Sequence, residues 1–346
     1  MIEIDGSRGE GGGQILRTAL GLSCLFRKPF RIFNIRKSRK KPGLMPQHIT
    51  SVRAAQLIAQ AEVRGDHHGS MELVFSPGEV KGGDFLFDIG TAGSTMLVLQ
   101  TLAPALVFSG APSSITLKGG THVPFSPSYD HVKEVFLPFL ERLGILMNLS
   151  IESYGFYPKG GGKIRAELAP AARLVPLQVL ERGRILGLRG FSGVGNLPLS
   201  IADRQRTALI EKLRSGTVGA ERAAEVEVMN APTPGQGTFV FLKAETENSL
   251  AGFTALGERG KKAELVGEEA AGEFLQYFDT GAALDPYLAD QIVLYLSMCK
   301  EESFFTTSRV TQHLKTNLWA ISLFHEFGYS VDGEVGTPGK VRIQKN

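Results

Sequence analysis

A histidine at the start of an apolar helix, a glutamate inside a glycine-rich turn and a cluster of cations without acids are the parts of this chain equipped for chemistry. His313 follows a β-prone run, Phe304 to Thr307, that breaks at Ser308. Leu314, Leu318, Ile321 and Phe324 then recur at helical spacing, and Gly328 is expected to end the helix as its left-handed C′ residue. His313 thus falls in or near a first helical turn, where the positive end of the helix dipole disfavours imidazolium. A neutral imidazole can act as a nucleophile or ligand; an imidazolium cannot. Taken alone, the segment fits a capping or packing histidine better than a catalytic one.

Glu10 lies among Gly6, Gly9, Gly11, Gly12 and Gly13, between a short strand at Ile2 to Ile4 and a helix whose inner face carries Ile15, Leu16, Ala19 and Leu20. Such a junction makes an anion site, because unpaired amides point out of the first turn and glycine lets a phosphate approach. It is no P-loop, since no GK[ST] follows, and Gln14 stands where the dinucleotide fingerprint needs its last glycine. A carboxylate there would repel phosphate, a conflict that a divalent cation between them resolves. A solvated glutamate on a surface turn explains the sequence equally well. Arg17, one turn into the helix, is placed to clamp a phosphate.

Between Arg27 and Lys41 stand eight basic residues and no acidic one. So unbalanced a run favours a polyanion such as a nucleic-acid backbone. Phe30 and Phe33 are its only aromatics, so phosphate contact is better supported than base stacking. The run closes at Pro42-Gly43, before a helix around Met45-Pro46-Gln47-His48.

The elements that must hold these groups recur as a rhythm of strand, small-residue loop and helix. Strands are expected at Met71 to Phe75 and Asp84 to Ile89, joined by the turn signals Pro77-Gly78 and Gly82-Gly83. A loop at Gly90 to Ser94 opens a buried helix in which Gln100 is the polar exception. A strand at Ser114 to Leu117, a loop reaching Pro127, a helix from Tyr129 to Leu143 and a strand at Asn148 to Tyr154 follow. The rhythm predicts a large domain of stacked α/β repeats. From about Arg184 to Gln276 the character changes to a compact α/β insertion without histidine. Beyond it a buried helix, Leu288 to Met298, is expected to align Tyr287, Asp290, Gln291 and Leu294 on one face, and its polar side chains need partners.

At 346 residues the chain exceeds one ordinary core. A net charge of +3 is only mildly basic, so the local clustering matters more. Cys24 and Cys299 read as buried free thiols of a reducing compartment, with no disulfide framework or cysteine-based metal site. The N-terminus has no signal-peptide pattern, and no apolar run is long enough to span a bilayer. The expected location is the cytoplasm.

Six separated stretches, in order, resemble the RNA 3′-terminal phosphate cyclase family over nearly the whole chain: GEGGGQILRTAL, IRKSRKKPGLMPQH, FDIGTAGSTMLVLQTLAPAL, GFYPKGGGK, PYLADQ and TQHLKTN. Tyr154 stands where the family usually has Arg or His, and the residues before His313 differ, which leaves Arg309 without a transferable role. The resemblance implies an α/β (α+β) fold: a large domain of three βαβαββ-type repeats, 1–183 plus 277–346, with a small α/β domain inserted at 184–276. It implies an ATP-dependent ligase that converts an RNA 3′-phosphate end to a 2′,3′-cyclic phosphodiester through covalent histidine–AMP and RNA(3′)pp(5′)A. His313 would be the nucleophile. Gln100, Pro127, Tyr287, Leu288, Ala289, Asp290 and Gln291 would bind ATP, with adenine between Pro127 and Tyr287. Arg17, Arg36, Arg39, Gln47 and His48 would recognise the RNA phosphate, and Glu10 would hold a divalent cation, Mg or Mn. The partner expected is RNA with a 3′-phosphate end, and no membrane. A cyclase-like RNA-binding factor of ribosome biogenesis would share the scaffold but lack the histidine; an enolpyruvyl transferase would need basic residues for small anionic substrates and no covalent histidine, and the motifs of such transferases are not visible here.

Overall fold

A computed structural model describes residues 1–216 and 224–344. The chain opens with β1 (Ile2–Asp5), α1 (Gln14–Phe26), β2 (Phe30–Phe33), α2 (Pro46–Ala59), β3 (Glu62–Arg64) and β4 (Leu73–Ser76), whose sheet runs β1-β2-β4-β3. The same path recurs. In the second unit, β5 (Asp84–Asp88), α3 (Thr95–Val107), β6 (Ser113–Gly119), a helical segment, β7 (Met147–Ser153) and β8 (Gly162–Leu168) give the order β5-β6-β8-β7. That segment is α4 (Tyr129–His131), a π-helical stretch Val132–Phe136 and α5 (Leu137–Arg142), so the helix expected from Tyr129 to Leu143 is interrupted.

The third unit starts at β9 (Gln178–Val179) and is broken by other elements before it resumes. These are β10 (Ile185–Gly195), α6 (Leu199–Ser215), β11 (Glu225–Asn230), β12 (Gly237–Thr246), β13 (Leu250–Leu256) and α7 (Ala263–Thr280), with sheet order β11-β10-β12-β13. Leu209, Val240, Phe253 and Phe274 gather in a core of their own there. Then α8 (Pro286–Leu296), β14 (Ser303–Thr307), α9 (Gln312–Phe324), β15 (Gly328–Asp332) and β16 (Gly339–Gln344) complete the sheet β9-β14-β16-β15. Three βαβαββ units of one topology are therefore present, each joining its first two strands in parallel and adding its hairpin antiparallel.

Side-chain alternation explains the sheets. β6 buries every second residue from Ser113 to Gly119, so one face meets the helices and the other is wetter. The helices of the three units meet in one layer: α1 packs on α3 closely enough that a Cβ at Gly21 would lie 2.8 Å from the Thr101 carbonyl.

Two expectations are corrected. The strands at 73–76 and 84–88 belong to different sheets, so the turn signals between them end one unit and start the next. Gly328 does not cap α9. The helix stops at Phe324, His325 is extended with φ −144°, and Gly328 begins β15. The reason is tertiary: the His325 ring stacks on Phe26 and on Phe327, and its Nε2 lies 2.9 Å from the Ser297 carbonyl.

Candidate active site

The N-terminal ends of helices converge on one place. Gln47 at the start of α2 accepts the amide of Ser94, the N-cap of α3, at 3.2 Å. His48 meets the start of α1, and a Cβ on Gly13 would lie 2.3 Å from its Nε2. Gln14 of α1 touches His313 of α9 through its Oε1 and the ring Nδ1. Thr311, the N-cap of α9, donates to Asp290 of α8 and accepts the Leu314 amide at 2.9 Å. Several helix N-termini pointed at one volume favour an anion there.

That volume is a cleft of about 710 Å³. Arg17, Gln100, Pro127, Tyr287, Asp290, Gln291 and His313 all line it, so residues far apart in sequence are brought together. The His313 side chain is 44% exposed and opens on the cleft, which removes the packing-histidine alternative. Its Nε2 lies 2.9 Å from Glu10 Oε2. The pulls on its proton conflict. Burial lowers the ring's proton affinity, Glu10 raises it, and Arg17 and Arg39 lower it again. The net direction is below the ordinary histidine value, so the ring is predominantly neutral at neutral pH. With Nδ1–H donated to the Gln14 side-chain oxygen, Nε2 is the nitrogen turned towards Glu10 and the cleft.

The polar groups on the cleft wall are poised for a ligand. Gln100 Nε2 and Gln291 Oε1 are buried and have no partner among the described residues. No acid or carbonyl pairs with the half-buried Arg17 guanidinium among the described residues, and burial pushes its pKa down to about 10, still charged at neutral pH. Asp290 is driven the other way: burial first, then Asp285 and Glu10, hold its carboxyl well above the usual carboxylate range. Asp290 accepts the Thr311 hydroxyl and through it orders the start of α9.

The remaining expected site residues surround the cleft without lining it. Gly9, with φ 62°, lets the Glu10 turn lie flat on α9, where a Cβ would meet Thr316 Oγ1 at 2.4 Å. Arg39 donates to the Glu10 carbonyl at 3.1 Å. Buried His48 accepts the Met45 amide at 3.1 Å on Nδ1; burial, with Arg17 and Arg36, pushes its pKa down to about 3. Arg36 donates to the Lys41 and Gly43 carbonyls at 2.8 and 3.0 Å, which ties it to its own loop. Leu288 and Ala289 are corrections. Both are 0% exposed, because helical spacing turns them to the face opposite Tyr287, Asp290 and Gln291.

The basic run also divides. Arg27 pairs with Glu79 at 2.9 Å, and Arg31 pairs with Glu3 and Glu72 at 3.1 and 2.7 Å. Lys37, Arg39, Lys40 and Lys41 form no ion pair among the described residues and stand exposed, with Arg39 held against the Glu10 turn. No stacking aromatic was visible near them in the sequence, yet the fold brings Trp319 there, with the Arg8 guanidinium 4.1 Å above its ring. Sequence reasoning also missed Gln14 and Asn317. Asn317 donates to the Asp290 carbonyl at 2.8 Å and accepts from Thr18 at 2.9 Å. Its spacing of one helical turn from His313 was the available signal.

Comparison with known proteins agrees in direction. Residues 8–331 match the model of the family described as RNA 3′-terminal phosphate cyclase. A relative of that name from Methylococcus capsulatus is 44% identical over 355 aligned positions, covering 100% of this chain and 97% of its own. One from Sulfolobus acidocaldarius is 45% identical, covering 99% and 100%, and one from Thermococcus kodakarensis is 44% identical, covering 100% and 98%. The enolpyruvyl transferase NikO from Streptomyces tendae aligns over 99% of this chain and 48% of its own, with a TM-score of 0.36 at 10% identity, a likeness too slight to bear on function.

Proposed function

Because the chain belongs to the RNA 3′-terminal phosphate cyclase family, an enzyme family, we propose that it cyclises RNA 3′-phosphate ends at the expense of ATP. His313 Nε2 attacks the α-phosphorus of ATP, the bond to the bridging oxygen breaks, and pyrophosphate departs. Gln14 takes Nδ1–H, which leaves Nε2 as the attacking nitrogen once its contact with Glu10 is given up to the nucleotide. A terminal RNA phosphate oxygen then attacks the same phosphorus, the P–N bond breaks, and RNA(3′)pp(5′)A forms. The vicinal 2′-hydroxyl attacks the 3′-phosphorus, loses its proton to solvent and expels AMP, which leaves the 2′,3′-cyclic phosphate. Adenylylation is needed because a phosphate monoester has no good leaving group.

Arg17, unpaired on the cleft wall, is placed for the triphosphate or the RNA phosphate. The orphaned amides of Gln100 and Gln291 offer a donor and an acceptor to the base, and Pro127 and Tyr287 offer its flat sides. No group of three or more His, Cys, Asp or Glu able to hold a metal exists among the described residues, so a divalent cation would rest on Glu10 and on substrate oxygens, where it would neutralise phosphate charge. Lys37, Arg39, Lys40 and Lys41 would follow the RNA backbone, with Arg8 on Trp319 as a flat surface beside them. The elements from β10 through α7 we take as the inserted domain. The expected boundary at 276/277 falls inside α7, so the unit is better ended near Thr280. No helix of the described residues is long and apolar enough to cross a membrane, and the buried free cysteines fit a reducing cytoplasm.

The observation that carries this reading is a neutral, half-exposed histidine at a helix N-terminus, facing a cleft with unsatisfied donors and acceptors. Incubation with α-labelled ATP and Mg is the test. Wild-type protein should retain label on a denaturing gel run at neutral to alkaline pH, where a P–N bond survives, and His313→Ala should retain none. Unlabelled wild type would favour the non-catalytic RNA-binding scaffold instead.

A further inference from the structure

Both sides of the slot between Pro127 and Tyr287 are tied to β13 and α7, the last elements of the part taken above as the inserted domain. On the Pro127 side, Ser128 shares a 2.8 Å hydrogen bond with Thr254 of β13. On the Tyr287 side, the Gly252 amide of β13 donates to Asp285 Oδ2 at 3.2 Å, and Asp285 caps α8 by accepting the Tyr287 and Leu288 amides on Oδ1. A third tie is harder to explain by folding. The Tyr287 hydroxyl donates to Glu273 Oε1 of α7 at 3.0 Å, and this is the one hydrogen bond of the Glu273 side chain among the described residues. Its other oxygen, Oε2, is buried without a partner there. Burial raises the carboxyl's pKa, with the Tyr287 bond and Arg309 acting against it. A carboxyl kept in such a place weakens the fold rather than strengthening it, so its use lies in what it holds. What it holds is a ring on the cleft wall: Tyr287 is 37% exposed, and its aromatic neighbour is His131, edge-on at 6.1 Å.

We propose that Glu273 is a positioning residue: from the inserted domain it locks the Tyr287 ring in the orientation that closes one face of the base slot. This rests on the nucleotide reading above, and it gives the insertion a task in the reaction. Glu273 touches neither base nor phosphate in this role. With the hydroxyl held, the ring is already ordered when the nucleotide arrives, and the cost of fixing its rotamer does not fall on binding.

The test is the MgATP dependence of label transfer from α-labelled ATP in wild type, Glu273→Leu, Glu273→Gln, Tyr287→Phe and the Glu273→Leu/Tyr287→Phe double variant. Glu273→Leu should raise the half-saturating MgATP concentration about fivefold, the cost of ordering one side chain on binding, while the rate at saturating MgATP stays within about twofold of wild type. Tyr287→Phe keeps the ring, loses the hydroxyl and should behave alike. The double variant should be no worse than either single one, because both remove the same hydrogen bond. Glu273→Gln still offers an oxygen to the hydroxyl and should recover most of the affinity. An unchanged half-saturating concentration in Glu273→Leu would overturn the positioning role and leave the proposed reaction standing. So would effects that multiply in the double variant, or a collapsed rate at saturating MgATP in Glu273→Leu, since these mark separate or purely structural roles. Wild-type protein that takes no label at any MgATP concentration would bring down the nucleotide reading itself, and the role of Glu273 with it.

Discussion

Replacing Gly13 by alanine should disable the site while leaving the fold standing. The backbone there, φ −76° and ψ −8°, suits any residue, so the cost is one of space alone. The added methyl would lie 2.3 Å from His48 Nε2 and 2.8 Å from Arg17 Nη1. Ordinary contact is about 3.5–4.0 Å, so the His48 ring must retreat by more than about 1 Å. It is 4% exposed and accepts the Met45 amide, so it cannot swing aside without uncapping α2. Losing that cap costs about 1 kcal/mol. Arg17 must also leave its place on the cleft wall. A displacement of about 1 Å costs on the order of a hundredfold in rate, or about 2.7 kcal/mol of barrier. Single-turnover transfer of label from α-labelled ATP should therefore fall roughly a hundredfold, while the melting midpoint drops by only about 2–4 °C. Gly272→Ala serves as the control, since nothing lies within 4 Å of a Cβ there on α7. A Gly13→Ala rate within about threefold of wild type would refute the steric argument.

Other outcomes follow from the same geometry. Burial holds His313 below 6.5, with Arg17 and Arg39 acting against Glu10, so the neutral nucleophile survives acidification and the acid limb of label transfer lies below pH 6.5. Glu10→Gln should move that limb further down and Arg39→Ala should move it up; a limb that stays put in both variants contradicts the assignment. His48 titrates near 3 when folded and near 6.5 when unfolded, so the unfolded chain takes up the proton first. Its stabilising contribution is complete above 6.5 and is lost at about 1.4 kcal/mol per pH unit as the pH falls towards 3. Urea midpoints of His48→Gln should accordingly vary less over that window than those of wild type. Arg39→Ala should raise the KM for a 3′-phosphorylated oligoribonucleotide, and equal rates at subsaturating RNA would remove Arg39 from the RNA site.

Local pattern settled much of this protein. The helical spacing of Leu314, Leu318, Ile321 and Phe324 fixes α9 and puts His313 in its first turn, and all four apolar residues are buried. The i, i+3, i+4 spacing from Tyr287 to Leu294 likewise fixes the face of α8 that meets the cleft, and it could have excluded Leu288 and Ala289 from that face. Such periods belong to the backbone and need no knowledge of neighbours. What the tertiary structure decided are contacts between units distant in the chain. Gln14 and His313 touch across 299 positions, Thr311 finds Asp290, and His325 ends α9 by stacking on Phe26. Which cations of the basic run are neutralised and which stay free was equally hidden, because Glu3, Glu72 and Glu79 reach Arg31 and Arg27 through strand pairing and a loop rather than through proximity in sequence. Desolvation and Coulomb interaction depend on distance in space, so the direction in which His313, His48 and Asp290 shift could be read only once the three repeats had been packed together.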